Sequence, residues 1–164
     1  MQTKTYQQEA PRVPAGFPAQ HQDKQPGSQQ QMQPQPVTDN PKYLGSGKLL
    51  NRTAVITGGD SGIGQATAIA FAKEGADIIV VYLDENGDAE QTRRAVEALG
   101  RKCLLVRCDL KNESSASMAV EKTIASFSHL DVLVNNIAVQ YPRNSIEDIT
   151  PEQLGITFSS NVFS

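Results

Sequence analysis

Residues 57–64 read "TGGDSGIG", with Gly58, Gly59, Gly62 and Gly64 gathered into eight positions directly behind the apolar run "TAVI". Glycine accepts left-handed backbone and carries no Cβ. A loop of this kind opening a helix therefore presents backbone N–H groups and the positive end of the helix dipole to an anion. The chemistry on offer is the cradling of a pyrophosphate. Gly58 ends the strand, while Gly62 and Gly64 stand where the helix begins, Gly62 being the position at which a branched side chain would meet the phosphates. A P-loop needs Gly-Lys-Ser/Thr, yet Gln65 follows Gly64, and the third glycine of G-x-G-x-x-G is replaced by Thr67. The spacing is T-G-x-x-x-G-x-G, and taken alone it also suits a plain glycine-rich turn.

The other reactive side chains are quiet. Cys103 and Cys108 are five apart, neither a redox C-x-x-C nor a metal pair, which reads as reduced, inert thiols. His21 lies in a polar stretch and His129 in the turn "SHLD", and neither has partners at metal-ligand spacing. No metal site is expected.

The elements that must position the loop follow from periodicity. "TAVIT" reads as a strand, and Ile63, Ala66, Ala70 and Phe71 recur at helical spacing until Gly75. "DIIVVYL" is apolar on both faces, as in a strand buried within a parallel sheet. Residues 88–99 read as a helix ending at Gly100, "CLLVRC" as a third strand, Val120, Ile124 and Phe127 as the stripe of a third helix, and "DVLVNN" as a fourth strand. Thr150, Pro151 and Gln153 form a helix start with a capping box, followed by Leu154, Phe158 and Val162 at four-residue intervals. Strand and helix alternating through short connections imply right-handed crossovers and a doubly wound α/β parallel sheet.

Composition divides the 164 residues in two. Residues 1–47 hold seven of the nine prolines and much glutamine with no apolar period, so they are expected to form a disordered arm; residues 48–164 form the folded unit. A net charge of −3 without a basic stripe argues against nucleic acid as a partner. The first residues lack the apolar core of a signal peptide, and no apolar run nears the ~20 residues that span a bilayer, which points to a cytoplasmic protein with no membrane partner.

"TGGDSGIG" after the first strand, "CDL" after the third and "NN" closing the fourth resemble, in order and separation, the short-chain dehydrogenase/reductase family. The resemblance covers about residues 48–164. "QHQDKQPG", "VVYLDE" and "NSIEDIT" are similar to the subgroup with an N-terminal extension that includes general-stress and glucose/ribitol dehydrogenase-like proteins. It implies a Rossmann-type domain that binds NAD or NADP and, in full-length form, a homo-oligomer acting on an alcohol, sugar or carbonyl. Carried over, Gly58, Gly62 and Gly64 become the dinucleotide loop, lined by Asp60, Ser61 and Ile63. Asp109, with Leu110 beside it, would meet the adenine, the competing reading of Asp109 being a strand-end Asx turn. Asn136 and Ile137 would border the cofactor ribose, and Asn135 would tie strands together. The chain departs from the family's Asn-Asn-Ala-Gly in having "NNIA", with a branched residue where a small one is usual.

A 2′-phosphate calls for Arg or Lys near the glycine loop or just past the second strand, where this chain has Ser61, Tyr82 and Leu83. Asp84 could accept from a ribose hydroxyl or cap a helix, so the expectation leans to NAD. The resemblance further implies a catalytic Ser, a Tyr-x-x-x-Lys and an Asn. A phenol near pKa 10 is a poor base until an ammonium favours its phenolate. Four residues beyond Tyr6, Tyr43, Tyr82 and Tyr141 stand Ala10, Gly47, Asn86 and Ser145, so only the relay residue, Asn161, is represented. The expectation is the first four strands of a sheet of order 3-2-1-4-5-6, truncated at its C-terminal side, with strand four as an open, aggregation-prone edge. The rival reading is a non-catalytic nucleotide-binding or interaction module.

Overall fold

The computed structural model describes residues 16, 18–22 and 27–164; the arm's remaining positions, Tyr6 among them, lie outside the described residues. Four strands, β1 (Thr53–Thr57), β2 (Asp77–Tyr82), β3 (Cys103–Arg107) and β4 (Val132–Val134), alternate with three helices, α1 (Gly62–Lys73), α2 (Asn86–Ala98) and α3 (Glu113–Phe127). A fourth helix, α4 (Pro151–Asn161), follows and begins with the expected capping box, Thr150 accepting from the Gln153 N–H. All strand pairs are parallel and the order is β3-β2-β1-β4. This is the doubly wound arrangement expected from the alternation.

Successive side chains of a strand point to opposite faces, and here both faces are covered. Ala54, Ile56, Ile78 and Val80 pack beneath Ala68 and Ala72 of α1 and Ala89 and Val96 of α2, whereas Val55, Ile79, Val81 and Val106 pack on Ala119 of α3. Double burial is why β1 and β2 read as continuous apolar runs. β4 pairs with β1 alone among the described residues, and its Leu133 is 58% exposed.

Two helical stripes differ in phase from the sequence reading. In α1 Ala68 and Ala72 face the sheet, Phe71 of the expected stripe packs on the same core, and Ile63 is 79% exposed. Ala66 and Ala70 instead line a shallow groove with Val37, Asp39 and Tyr43 of the N-terminal arm. In α3 the buried positions are Ala119 and Thr123, Phe127 of the expected stripe packs on the core, and Val120 and Ile124 are 46% and 44% exposed. A large side chain announces a helix by its spacing, but a close sheet–helix contact selects small residues, which shifts the buried stripe by one position.

The described part of the arm has one short 3₁₀ turn (Gln29–Gln31) and otherwise no regular structure. It is nonetheless fastened to the C-terminal end of α1. Glu74, 5% exposed, accepts from the Tyr43 hydroxyl, from the N–H groups of Ser46 and Lys48 (both 2.9 Å) and from the Lys48 ammonium (3.3 Å). Lys73 pairs with Asp39 and donates to the Asn40 carbonyl at 2.7 Å. The Tyr43 hydroxyl first, then the Lys48 N–H, holds the Glu74 carboxyl down at about 2. A carboxylate with a depressed folded-state pKa stabilises the fold above its unfolded value of about 4.3 and loses that contribution as pH falls through the folded value. Thermal melts of the chain and of Glu74→Gln should therefore differ most above about pH 5 and converge toward about pH 2; a gap independent of pH would refute the assignment.

Candidate functional site

The carboxyl ends of the strands surround a cleft of about 410 Å³, at the side of the sheet where open α/β folds receive ligands. Gly58, Ser61 and Ile63 line it from the glycine loop, Tyr82 and Leu83 from the end of β2, Asp109, Leu110 and Lys111 from the end of β3, and Asn136, Ile137 and Tyr141 from the chain after β4. Eight of the sequence-derived candidates thus meet at one surface: Gly58, Ser61, Ile63, Tyr82, Asp109, Leu110, Asn136 and Ile137.

The loop is built as a cradle. Gly58 (φ +61°) and Gly62 (φ +53°) occupy the left-handed region, and the Gly58 N–H donates to the Val81 carbonyl at 2.8 Å. An added Cβ at Gly62 would meet open space, but one at Gly64 would lie 1.9 Å from the Gly58 carbonyl oxygen and 2.7 Å from Asn136 Nδ2. Gly62 is required by its dihedrals and Gly64 by contact with the end of β1.

Strand β1 is stitched to the chain after β4 by Asn136. Its Nδ2 donates to the carbonyls of Thr57 (3.1 Å) and Gly58 (3.0 Å), and its N–H donates to Thr57 Oγ1 (2.9 Å). The Ile137 N–H also donates to Thr57 Oγ1 at 3.2 Å. The strand-tying role expected of Asn135 therefore belongs to Asn136; Asn135 lines an adjoining cavity of about 270 Å³ on the α3 side, which shares Val81, Leu110 and Ile137 with the cleft. The pleat decides between the two, because adjacent residues point to opposite faces.

Asp109 makes the strand-end Asx turn of its competing reading. It lines the cleft, and its Oδ1 accepts from the Lys111 N–H at 3.0 Å as in an Asx turn, with the Lys111 ammonium 3.4 Å from Oδ2. Tyr82 is buried and donates its hydroxyl to Asn86 Oδ1 at 2.9 Å. Asp60, Gly62, Gly64 and Asp84 are not among the cleft-lining residues. Asp60 is 7% exposed, and burial pushes its carboxyl above the ordinary range, with Asp88 adding to the rise and hydrogen bonds from its own backbone and Ser61 opposing it. Asp84 is not the cap of α2, whose N-cap is Glu85. Asn161 lies outside the cleft lining as well: its Oδ1 accepts from the Val139 N–H (2.8 Å) and its Nδ2 donates to the Val139 carbonyl (2.9 Å), tying α4 to the chain after β4.

Burial pushes the Cys103 thiol up to about 12 and raises that of Cys108, which borders the cleft, so neither is a thiolate nucleophile at neutral pH. Among the described residues no three His, Cys, Asp or Glu side chains are grouped to hold a metal ion, and no helix is long and apolar enough to cross a membrane. Sequence reasoning missed Thr57, whose hydroxyl joins three groups at the rim, and Gln29, whose surroundings in a glutamine-rich stretch offer no local signal.

A parallel doubly wound sheet with a glycine cradle opening α1 defines a Rossmann-type dinucleotide-binding domain. A family model described as enoyl-(acyl carrier protein) reductase matches residues 58–164, and the chain belongs to the short-chain dehydrogenase/reductase family. It is 52% identical over 149 residues to the uncharacterized oxidoreductase YhdF and 51% identical over 151 residues to general stress protein 39, both of Bacillus subtilis (strain 168). These alignments take in 91% and 92% of the chain but 52% and 53% of the relatives, so the chain spans about half their length. Among solved structures, a short chain dehydrogenase from Mycobacterium paratuberculosis bound to NAD is similar with a TM-score of 0.67 and 34% identity, over 71% of this chain and 47% of that one.

Proposed function

We propose that residues 48–164 are the cofactor-binding part of an NAD(P)-dependent short-chain dehydrogenase/reductase that oxidises the CH–OH group of an alcohol or sugar, or reduces the corresponding carbonyl. The observation that carries the reading is the cradle: Gly58 and Gly62 in left-handed backbone, and Gly64 pressed against the Gly58 carbonyl beneath Asn136. This close packing brings the start of α1 against the end of β1 with no side chain of Gly64 between them, which fits a pyrophosphate held by backbone N–H groups. A bound nicotinamide dinucleotide would supply the hydride acceptor or donor. The chain's own part is to bind and orient: Ser61 and Ile63 face the phosphates, Asp109 and Leu110 the adenine, and Asn136 and Ile137 the ribose.

The preference proposed is NAD over NADP, because Ser61, Tyr82 and Leu83 occupy the places where a 2′-phosphate would need a cation. Calorimetric titration tests it. NADH should bind more tightly than NADPH, and a folded protein that binds neither would overturn the reading. The second reading, a nucleotide-binding module without catalysis, is favoured by the lack of Tyr-x-x-x-Lys in these 164 residues. Downstream coding sequence that encodes the motif in frame would exclude it, and unrelated sequence there would favour it.

A further inference from the structure

The N-terminal arm touches both ends of α1, and its outer contact reaches the back of the glycine loop. Gln29 is 6% exposed although its neighbours on the arm are polar and mostly solvated. Its Oε1 accepts from the Gly62 N–H at 2.6 Å, its Nε2 donates to Gln65 Oε1 at 2.8 Å, and its own N–H donates to Asp88 Oδ2 at 3.0 Å. The chain of bonds continues: Gln65 Nε2 donates to Thr92 Oγ1 (3.0 Å), and the Thr92 hydroxyl donates to the Asp60 carbonyl (2.9 Å). Gln65, Asp88 and Thr92 are each at most 2% exposed.

The network therefore holds Asp60 and Gly62, the two neighbours of Ser61, which lines the cleft. Gln29 itself does not line the cleft, so it acts on the loop from behind. The first N–H groups of a helix have no partner within it, and a side-chain cap normally supplies one. Ser61, the N-cap of α1, makes no such bond, and Gln29 provides the acceptor from outside the helix.

At the other end of α1 the arm is held by Glu74 and Lys73, and between the two ends it passes over Ala66 and Ala70. An added Cβ on Gly45 would lie 1.8 Å from the Lys73 carbonyl oxygen, which shows how closely the arm is laid down. The arm is thus a strap along one helix, with its tip on the loop.

We propose that Gln29 is a positioning residue for dinucleotide binding: the arm's tip holds the loop in its binding conformation by capping Gly62 and, through Gln65 and Thr92, by fixing Asp60. The proposal rests on the reading of the cleft as a dinucleotide site. Without the acceptor the loop retains the binding conformation for a smaller fraction of the time, and apparent affinity falls by that fraction.

The test compares Gln29→Met, which keeps the volume and removes both side-chain hydrogen bonds, with Tyr43→Phe, which loosens the strap at its far end. Gln29→Ala gives the same comparison should the methionine variant not fold. Binding of NADH, ADP and adenosine is measured together with melting temperature and with amide exchange over residues 60–65 in the ligand-free protein. Gln29→Met should weaken NADH and ADP about tenfold, leave adenosine unchanged and speed exchange in the loop. Tyr43→Phe should lower the melting temperature without changing the three affinities. Unchanged NADH and ADP binding in a folded Gln29 variant, or equal losses for adenosine, would overturn the proposal. Should the unaltered chain bind none of the three ligands, the reading of the cleft fails by itself. Loop exchange then decides the strap: faster exchange in the Gln29 variant supports the anchoring, and unchanged exchange overturns it.

Discussion

Gly64→Ala should weaken NADH binding about a hundredfold, ~2.7 kcal/mol, and lower folding stability by about 2–3 kcal/mol. The new Cβ would lie 1.9 Å from the Gly58 carbonyl oxygen and 2.7 Å from both the Gly58 carbonyl carbon and Asn136 Nδ2. Two of these three atoms belong to backbone, so no rotamer change relieves the clash and the loop has to move away from α1. Alanine regains about 1 kcal/mol of helix propensity over glycine, which is too little to offset such overpacking. A displacement of roughly 1 Å at a positioned site is enough to cost ~10². Gly62→Ala makes an instructive contrast. Its Cβ meets no protein atom, so its cost in folding stability is confined to the left-handed dihedral, about 1–2 kcal/mol. Calorimetric melts of the two variants give the order of the packing cost directly, and NADH titrations give the effect on binding. If Gly64→Ala proves milder than Gly62→Ala, the packed cradle is not what holds the loop.

The second large effect concerns turnover. Residues 1–164, purified free of host dehydrogenases, are expected to give no detectable cofactor-dependent oxidation of glucose, polyols or simple alcohols. Positioned acid/base help contributes ~10²–10⁴ in rate, and no tyrosine in this stretch has a lysine four residues on. Tyr141 and Lys111 both line the cleft, but the Lys111 ammonium is paired with Asp109 at 3.4 Å. Asn161, which the family resemblance would make a relay residue, has its amide committed to both backbone groups of Val139. Following nicotinamide absorbance over a substrate panel provides the measurement. Turnover that disappears with Tyr141→Phe would show that the cleft already holds a working acid or base, and turnover that disappears with Asn161→Ala would equally overturn the expectation, through a residue outside the cleft lining.

What could be read in the one-dimensional chain was whatever repeats within a short window. β1 emerged at its observed bounds because a strand buried on both faces is a continuous apolar run, and α4 emerged with its cap because Thr150, Pro151 and Gln153 interact within four residues. The glycine loop was legible for the same reason, and the parallel order followed from short connections and right-handed crossovers. Tertiary structure decided everything that depends on a partner distant in sequence. Asn136 rather than Asn135 bonds β1, across 79 and 78 positions, because the pleat turns only one of the two toward Thr57 and Gly58. Gly64, unremarkable beside Gly62 in the string of letters, becomes the tightest contact of the glycine loop once Gly58 folds back on α1. Gln29 reaches Gly62 over 33 positions from a segment whose composition suggests only solvation. A hydrogen-bonding group is chosen by what remains unsatisfied at the place where it lands, and for Gln29 that place is a helix start without its own cap, created only when α1 and α2 pack side by side.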